Sequence, residues 1–394
     1  MFFGWLTVVM LYWTSLPMLG YGVLSVLALY SIKSAGKIYL DWKVGLFSLF
    51  GILSYSVGLF LHEFDPALKS FATVIHFVTL CSFLSLARIE FNIDQVTLFA
   101  KIYIGLAYAS TLVLGTDLAS LFYFIDEGGT RRFSFLFSEP SFLGLFSSML
   151  CFLLLSYGGA KKKVDFLLIS ALIGLVFLSL SGSGLFVLGI SFLTFFVSRP
   201  FSKILIGRLA TLSLVAVFLL GVLYVSDFGG FLFDRIDNFL LGGDDRSAEL
   251  RFVATSMLFQ YAIEHNFWFG SGFGLHAEYI SKNYNNFIYL LKLTFEGEDI
   301  YNTNIDNGWV FIVFSGGFLG LLVTLSLYIY SAVRALSFRS FFVLVFSILF
   351  FSGAFIHPLF LGMFFIRFPM AGNLGDGGRA INPTRWMLSR RFIR

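Results

Sequence analysis

Asp234-Arg235-Ile236-Asp237-Asn238, Gly242-Gly243-Asp244-Asp245-Arg246, Glu264-His265-Asn266, Gly270-Ser271-Gly272-Phe273-Gly274 and Glu296-Gly297-Glu298-Asp299 punctuate a polar stretch that runs from Val225 to about Ile305. On either side the chain is apolar enough to sit in lipid. Long loops inside a compact chain are as a rule either functional or disordered. This one keeps Phe, Trp, Tyr and Leu throughout, which is not the composition of a disordered segment. It therefore reads as a small folded cap on a membrane domain.

The rest of the composition agrees. The 394 residues are 58% hydrophobic and 13% charged, with mean hydropathy +0.85, whereas soluble domains carry about 25% charged residues. That makes a polytopic membrane protein. The net charge of +4 is small and comes from loops and the tail, so it gives no reason to expect a nucleic-acid partner. Cys81 and Cys151 both lie inside apolar stretches, which argues against a structural disulfide or a metal site. No charged n-region or small-residue cleavage site is present, so no removed signal peptide is expected.

A spanning helix needs about 20 apolar residues. Met1 to Ile32 is long for one crossing, and Pro17 and Gly20 interrupt it, which favours two tight crossings. Spans follow at about 43–61, 67–87, 96–115 and 141–157. Val164–Ser198 holds two, turning at Ser181-Gly182-Ser183-Gly184, and 204–225 and 307–330 come next. The block 335–372 either crosses twice, as helices of roughly 17–18 residues turning near Gly353–Pro358, or crosses once.

Loop charge sets the orientation. Lys33, Lys37, Lys43, Arg88, Lys101, Lys161–Lys163, Arg199, Lys203, Arg208, Arg334 and Arg339 mark one face, which should be cytoplasmic. Loops 62–69, 116–140 and 226–305 then lie outside. The tail, with Arg379, Arg385, Arg390, Arg391 and Arg394 against Asp376, also looks cytoplasmic. The expected organisation is thus membrane helices over 1–225, including the outer loop 116–140. A cap over 226–305, helices over 306–372 and a tail over 373–394 follow. In all, an all-α polytopic membrane protein with about 11–12 transmembrane helices is expected (10–12 fit the pattern).

Arginine on the outer face runs against the charge bias. The outer set is Arg131, Arg132, Arg235, Arg246 and Arg251. Arg131-Arg132 precedes Glu139-Pro140-Ser141, and Pro140 suits a first helical turn. Arginines beside a helix N-terminus favour phosphate. They also suit lipid headgroups, with Glu139 complementing the helix dipole. Exposed ion pairs are worth only about 0–1 kcal/mol, so these groups should matter more for function than for stability. Arg246 and Arg251 open an amphipathic helix expected at about 247–264, which ends before the Gly270–Gly274 turn. Those glycines lack the spacing and the preceding strand of a dinucleotide site and read as a tight turn. Asp244, Asp245 and Glu249 lack the further oxygen ligands a cation site needs. Asp306-Asn307 opens the 307–330 span, with Asp306 as a candidate N-cap. His62, His265, His276 and His357 show no zinc spacing. No cofactor motif is present.

Taken in order, these segments resemble the O-antigen polymerase/ligase superfamily, the Wzy-type polymerases and their relatives. Arg132-x-Ser134-x-x-Phe137-x-Glu139-Pro140-Ser141 is similar to the family's arginine–aromatic–(Glu/Asn)-Pro element. Ser181-Gly182-Ser183-Gly184 resembles its serine turn without the arginine. Ser247-x-x-x-Arg251 with Gly270-x-Gly272-x-Gly274 resembles its large-loop signature. Asp306-Asn307 with Gly316-Gly317 and Gly320 resembles the element that opens the next helix, where the ligases carry His. The resemblance covers about 90–360.

It implies a GT-C-like fold in the bacterial inner membrane, with the active site on the periplasmic side. The implied reaction is metal-independent glycosyl transfer from an undecaprenyl-diphosphate-linked oligosaccharide to a sugar hydroxyl. Membrane lipid and a chain-length regulator are the implied partners. On this reading Arg132 and Arg251 stabilise the diphosphate leaving group, and Arg131 and Arg246 support them. Glu139 or Asp306 is the base, and Ser141 and Asn307 contact substrate. Trp268, Tyr279 and Tyr284 would hold sugars. A repeat-unit polymerase is the first reading. An O-antigen ligase acting on lipid A-core is the alternative within the fold, and a flippase of lipid-linked sugar is the alternative from another class.

Overall fold

The computed structural model describes residues 1–14, 16–62, 68–112, 122–125, 131–157, 163–197, 254–265, 267–282, 292–295, 298–301, 307–335, 338–350 and 356–368. Its elements, in chain order, begin with α1 (Phe2–Tyr12), α2 (Pro17–Ala35), α3 (Trp42–His62), α4 (Leu68–Leu86) and α5 (Ile93–Thr111). A hairpin of β1 (Tyr123–Ile125) and β2 (Arg131–Phe133) leads to α6 (Pro140–Tyr157), α7 (Lys163–Leu178) and α8 (Gly182–Val197). The cap contributes α9 (Ala254–Glu264), α10 (His276–Lys282) and a hairpin of β3 (Lys292–Phe295) and β4 (Glu298–Tyr301). The chain then forms α11 (Gly308–Arg334), α12 (Arg339–Ile348) and α13 (Pro358–Phe365). It is an all-α polytopic membrane protein, with two short antiparallel hairpins as the departures among the described residues. Among the described residues four helices, α2, α3, α6 and α11, are each long and apolar enough to cross a membrane, and several apolar helices are shorter.

Hydrophobic patterning alone would not rank these helices, because nearly all are apolar on every face; burial does. Every residue of α6 from Leu143 to Leu155 is buried. In α2 and α3, Leu29 (67%) and Phe60 (85%) instead stay exposed, as lipid-facing side chains do. α6 is therefore the central helix, packed between α7 and α8. At its crossing with α8 the backbones nearly touch: a Cβ added to Gly184 would lie 2.7 Å from Gly144 Cα. Small residues at such crossings let membrane helices pack closely. The few polar groups there are matched: Ser148 Oγ donates to Gly184 O at 2.9 Å, and Tyr103 Oη and Ser147 Oγ are 3.0 Å apart.

Loop contacts sort the helix ends into two groups. At the lysine-marked end, Asp41 N donates to Ser85 Oγ at 2.8 Å and Lys43 Nζ to Phe364 O at 2.5 Å. Arg367 N donates to Ile89 O at 2.8 Å. Phe338, just before α12, lies 4.5 Å from Phe368, just after α13, between ring centroids. The two ends of the 338–368 segment thus meet at one face. Its helices, at 10 and 8 residues, are shorter than the 17–18 expected. The N-terminal block is likewise two helices, parted at Trp13–Leu16.

Two other expectations shift. The turn between α7 and α8 falls on Ser179–Ser181, so Gly182, Ser183 and Gly184 form the first turn of α8. The helix expected at 247–264 is described from Ala254, with Leu258 buried and Tyr261 half-buried. Residues 204–225 and the tail lie outside the described residues.

Candidate active site

The β1–β2 hairpin carries Arg132 into the protein, where it is buried to 7% exposure. After β2 the chain reverses at Phe135, which takes the left-handed φ of 54°. The amides of Ser134 and Phe135 both donate to Phe122 O, at 2.9 and 3.0 Å. The chain then runs against the end of α1: Ser138 N and Oγ donate to Trp13 O at 3.0 and 3.1 Å. This fixes the approach to α6, which starts at Pro140 with its fixed φ and no amide to satisfy.

Arg132 Nη2 donates to Leu180 O at 3.1 Å and Ser179 O at 3.4 Å. Leu180 has a φ of 47°, so it is the second residue here held in the left-handed region. Such strain costs of order 1–3 kcal/mol and persists where surroundings enforce it. Hydrogen bonds from a charged donor are worth about 1.5–3 kcal/mol, enough to hold the turn. Beyond it, Ser181 opens α8: its O accepts from Leu185 N at 3.0 Å and its Oγ from Gly184 N at 3.2 Å. The guanidinium thus ties the hairpin to the join of α7 and α8, and the Gly144–Gly184 crossing sets the first turns of α6 and α8 side by side.

Glu139 stands exposed at this junction and accepts from Ser141 Oγ at 2.8 Å. It makes no ion pair among the described residues. A ring stack runs alongside: Phe142 lies 5.7 Å from Trp13 (9° between planes), and Trp13 lies 4.4 Å from His357 (24°). His357 Nδ1 accepts from Leu359 N at 3.1 Å and so caps α13. The N-termini of α6, α8 and α13 therefore share one end of the molecule.

The cap enters the membrane domain at the same end through a break in α11. Gly317 has φ 66° and ψ −169°, which interrupts the helix. The freed amides of Phe318 and Leu319 donate to Phe267 O (3.1 Å) and Trp268 O (3.2 Å) of the cap. In return Ser271 N and Oγ donate to Phe314 O, at 2.6 and 2.8 Å. Non-helical backbone at membrane depth is tolerated only where protein or water satisfies it, and here the Gly270–Gly274 turn does. That stretch is a wedge, with Phe273 fully buried, and its Gly270 meets Gly317 so closely that an added Cβ would lie 2.6 Å from Gly317 N.

The comparison with known families bears on this segment. Residues 166–325, from within α7 to within α11, match the family model described as O-antigen ligase. Over this segment the chain is similar to the O-antigen polymerase/ligase superfamily. The match supports a function of the O-antigen ligase/polymerase type, in polysaccharide assembly at a membrane. No curated protein matches the chain.

The superfamily segment contains the Ser181 turn, the cap wedge and the broken helix, while the Arg132–Ser141 element lies before it. The structure brings Arg132, Glu139 and Ser141 together with the Ser179–Ser181 turn. Asn307 is buried at the start of α11: its Oδ1 accepts from Trp309 N (3.0 Å) and Val310 N (3.2 Å), and its Nδ2 donates to Phe350 O (3.4 Å). The cap of α11 is thus Asn307, one residue later than the expected Asp306. Arg131 pairs with Ile125 through the backbone. Arg246, Arg251, Asp306, Tyr284, Asp244, Asp245 and Glu249 lie outside the described residues. Of the aromatics, Trp268 is exposed, whereas Tyr279 is cap core: its hydroxyl pairs with that of Tyr261 at 3.0 Å, and burial pushes its phenol well above the usual range.

Sequence reasoning missed the partners of Arg132, because backbone carbonyls leave no side-chain signature. The burial of Arg132 also revises its expected role: removing it strips a strained turn of its donor, so stability falls along with any effect on activity. Trp13, which meets Ser138 and Phe142 on either side of Glu139, and His357, stacked on Trp13, were also missed; their only signal is a tryptophan closing α1 and a histidine before Pro358.

Proposed function

We propose that the chain polymerises undecaprenyl-diphosphate-linked oligosaccharide repeat units at the periplasmic face of the bacterial inner membrane. The observation that carries this reading is the exposed Glu139 at the α6 N-terminus, without an ion pair among the described residues, beside the α8 N-terminus that Arg132 holds in place. A base must reach the acceptor hydroxyl, and an exposed carboxylate at a helix N-terminus is available for that. Amides and dipole ends at helix N-termini favour the diphosphate. In this reading Arg132 is a positioning residue. Arg251, supported by Arg131 and Arg246, contacts the leaving diphosphate in the two-pronged manner open to arginine. Asp306 is the second carboxylate, and Ser141 orients Glu139. The broken α11 and the cap wedge close the site from above.

The bond between the anomeric carbon and the diphosphate oxygen breaks. The acceptor hydroxyl gives its proton to the carboxylate as it forms the new glycosidic bond, and the lipid diphosphate leaves as the anion. Purified chain in proteoliposomes with lipid-linked repeat units should yield a ladder of products, and should do so undiminished in EDTA. Transfer only to added lipid A-core would make it a ligase. Loss of turnover in EDTA, restored by a divalent ion, would contradict the arginine-based mechanism.

A further inference from the structure

At the lysine-marked end, remote from the candidate active site, a cavity of about 360 Å³ is lined by Ser31 and Ser34 of α2, by Arg88, Glu90 and Gln95 around the α4–α5 turn, and by Arg367. The turn is held in an unusual form. Arg88 has a φ of 47°, uncommon for a residue with a side chain. Glu90 and Arg367 form an isolated parallel bridge, closed by Phe91 N to Arg367 O at 3.0 Å and Arg367 N to Ile89 O at 2.8 Å.

The result places two guanidiniums on one ring. Arg88 Cζ lies 5.1 Å and Arg367 Cζ 5.7 Å from the centre of Tyr39. Among the described residues neither arginine makes an ion pair, and Glu90 at the rim makes none either. Two like charges gathered beside a cavity, neither in an ion pair among the described residues, are suited to an anion with several oxygens, because guanidinium matches phosphate in a two-pronged geometry.

The surroundings say where the anion comes from. The Gly36–Asp41 loop is pinned beside this turn by Asp41 N to Ser85 Oγ at 2.8 Å. It exposes an apolar lip, Ile38 (74%), Tyr39 (49%), Leu40 (52%) and, past Asp41 at the start of α3, Trp42 (58%). Tryptophan and tyrosine of this kind sit at the headgroup level of a bilayer. A free phosphate needs the arginines and has no use for the lip; a phospholipid uses both.

We propose that this cavity binds the headgroup of one anionic phospholipid, with Arg88 and Arg367 on its phosphodiester and the acyl chains along Ile38, Leu40 and Trp42. Basic pockets between helices on the cytoplasmic side take such headgroups. Ser31, Ser34 and Gln95 offer hydrogen-bond partners to a glycerol hydroxyl.

The full chain, purified in detergent, is titrated with phosphatidylglycerol, phosphatidylcholine or inorganic phosphate, with bound lipid counted by native mass spectrometry and melting temperature followed in parallel. One phosphatidylglycerol should remain bound and raise the melting temperature by several degrees, while the other two have little effect. Arg367→Gln, at an exposed side chain, should weaken retention at least tenfold, and Arg88→Gln/Arg367→Gln should abolish it. Equal retention by Arg367→Gln and wild type would overturn the proposal. An equal effect of phosphate, marking a free-anion site, or of phosphatidylcholine, marking a general lipid effect, would also overturn it.

Discussion

Glu139→Gln is expected to lose about a hundredfold or more in transfer rate while melting within a degree or two of the wild-type protein. The rate loss follows from the contribution of a positioned general base, typically 10²–10⁴-fold. The small change in stability follows from the structure. Glu139 is exposed, has no ion pair among the described residues, and accepts one hydrogen bond from Ser141 Oγ, which the glutamine carbonyl oxygen can also accept. Glutamine keeps the shape and removes the proton acceptor. Transfer is measured as product per unit time from lipid-linked repeat units, and stability by thermal unfolding in the same detergent. Activity near wild type would assign the base to another carboxylate, Asp306 being the first to examine. Loss of activity in step with unfolding would instead make Glu139 a structural residue.

Gly317→Ala has the opposite profile and is expected to prevent recovery of folded protein. Two costs add at this position. The φ of 66° is strained for any residue with a Cβ, and the added carbon would lie 2.1 Å from Trp268 O and 2.3 Å from Trp268 C. Both atoms are backbone, and Trp268 O accepts the Leu319 amide that the helix break leaves free, so the group cannot move without losing that bond. A destabilisation of about 4 kcal/mol or more, which is exceptional for a single substitution, is the expected scale. Gly22→Ala serves as the control: it is also helical and has open space around it. Recovery is measured as the monodisperse fraction on size exclusion, followed by the melting temperature. A Gly317→Ala protein that purifies and melts like wild type would show that α11 can run unbroken and that the cap wedge does not hold it open.

How much of this was legible in the sequence depends on how far apart the interacting residues are. Pro17 divides α1 from α2, and the restriction a proline imposes is local, so the split was readable. That the two ends of 338–368 meet at one face, with Phe338 against Phe368, agrees with the charge pattern, which placed Arg339 on the lysine-marked face. The Ser181–Gly184 stretch was misplaced by one turn for a physical reason. Serine and glycine mark turns, yet they also mark close helix crossings, and the deciding partner, Gly144, lies far back in the chain. The same ambiguity hid the wedge: Gly270–Gly274 reads as a loop until Gly317 is seen against it. Tyr279 could serve sugars or core, and its partner Tyr261 decides for core. In the candidate site, Arg132 and Glu139 stood out because arginine is out of place on the outer face, whereas the carbonyls of Ser179 and Leu180 could not be foreseen. Arg132 was read as an exposed charge of little structural worth, and it proved to be a buried clamp.

The most direct measurement of the central idea, that the joined N-termini of α6 and α8 receive the lipid diphosphate, is photo-crosslinking. The probe is a polyprenyl diphosphate sugar with a diazirine on the isoprene unit next to the diphosphate, added to purified chain in proteoliposomes and mapped by peptide sequencing. The expected adducts fall within Arg131–Phe142 and Ser179–Leu185, and excess unlabelled lipid-linked repeat unit suppresses them. Adducts confined to the lysine-marked end, around Arg88 and Arg367, or adducts that unlabelled substrate does not suppress, would contradict the assignment.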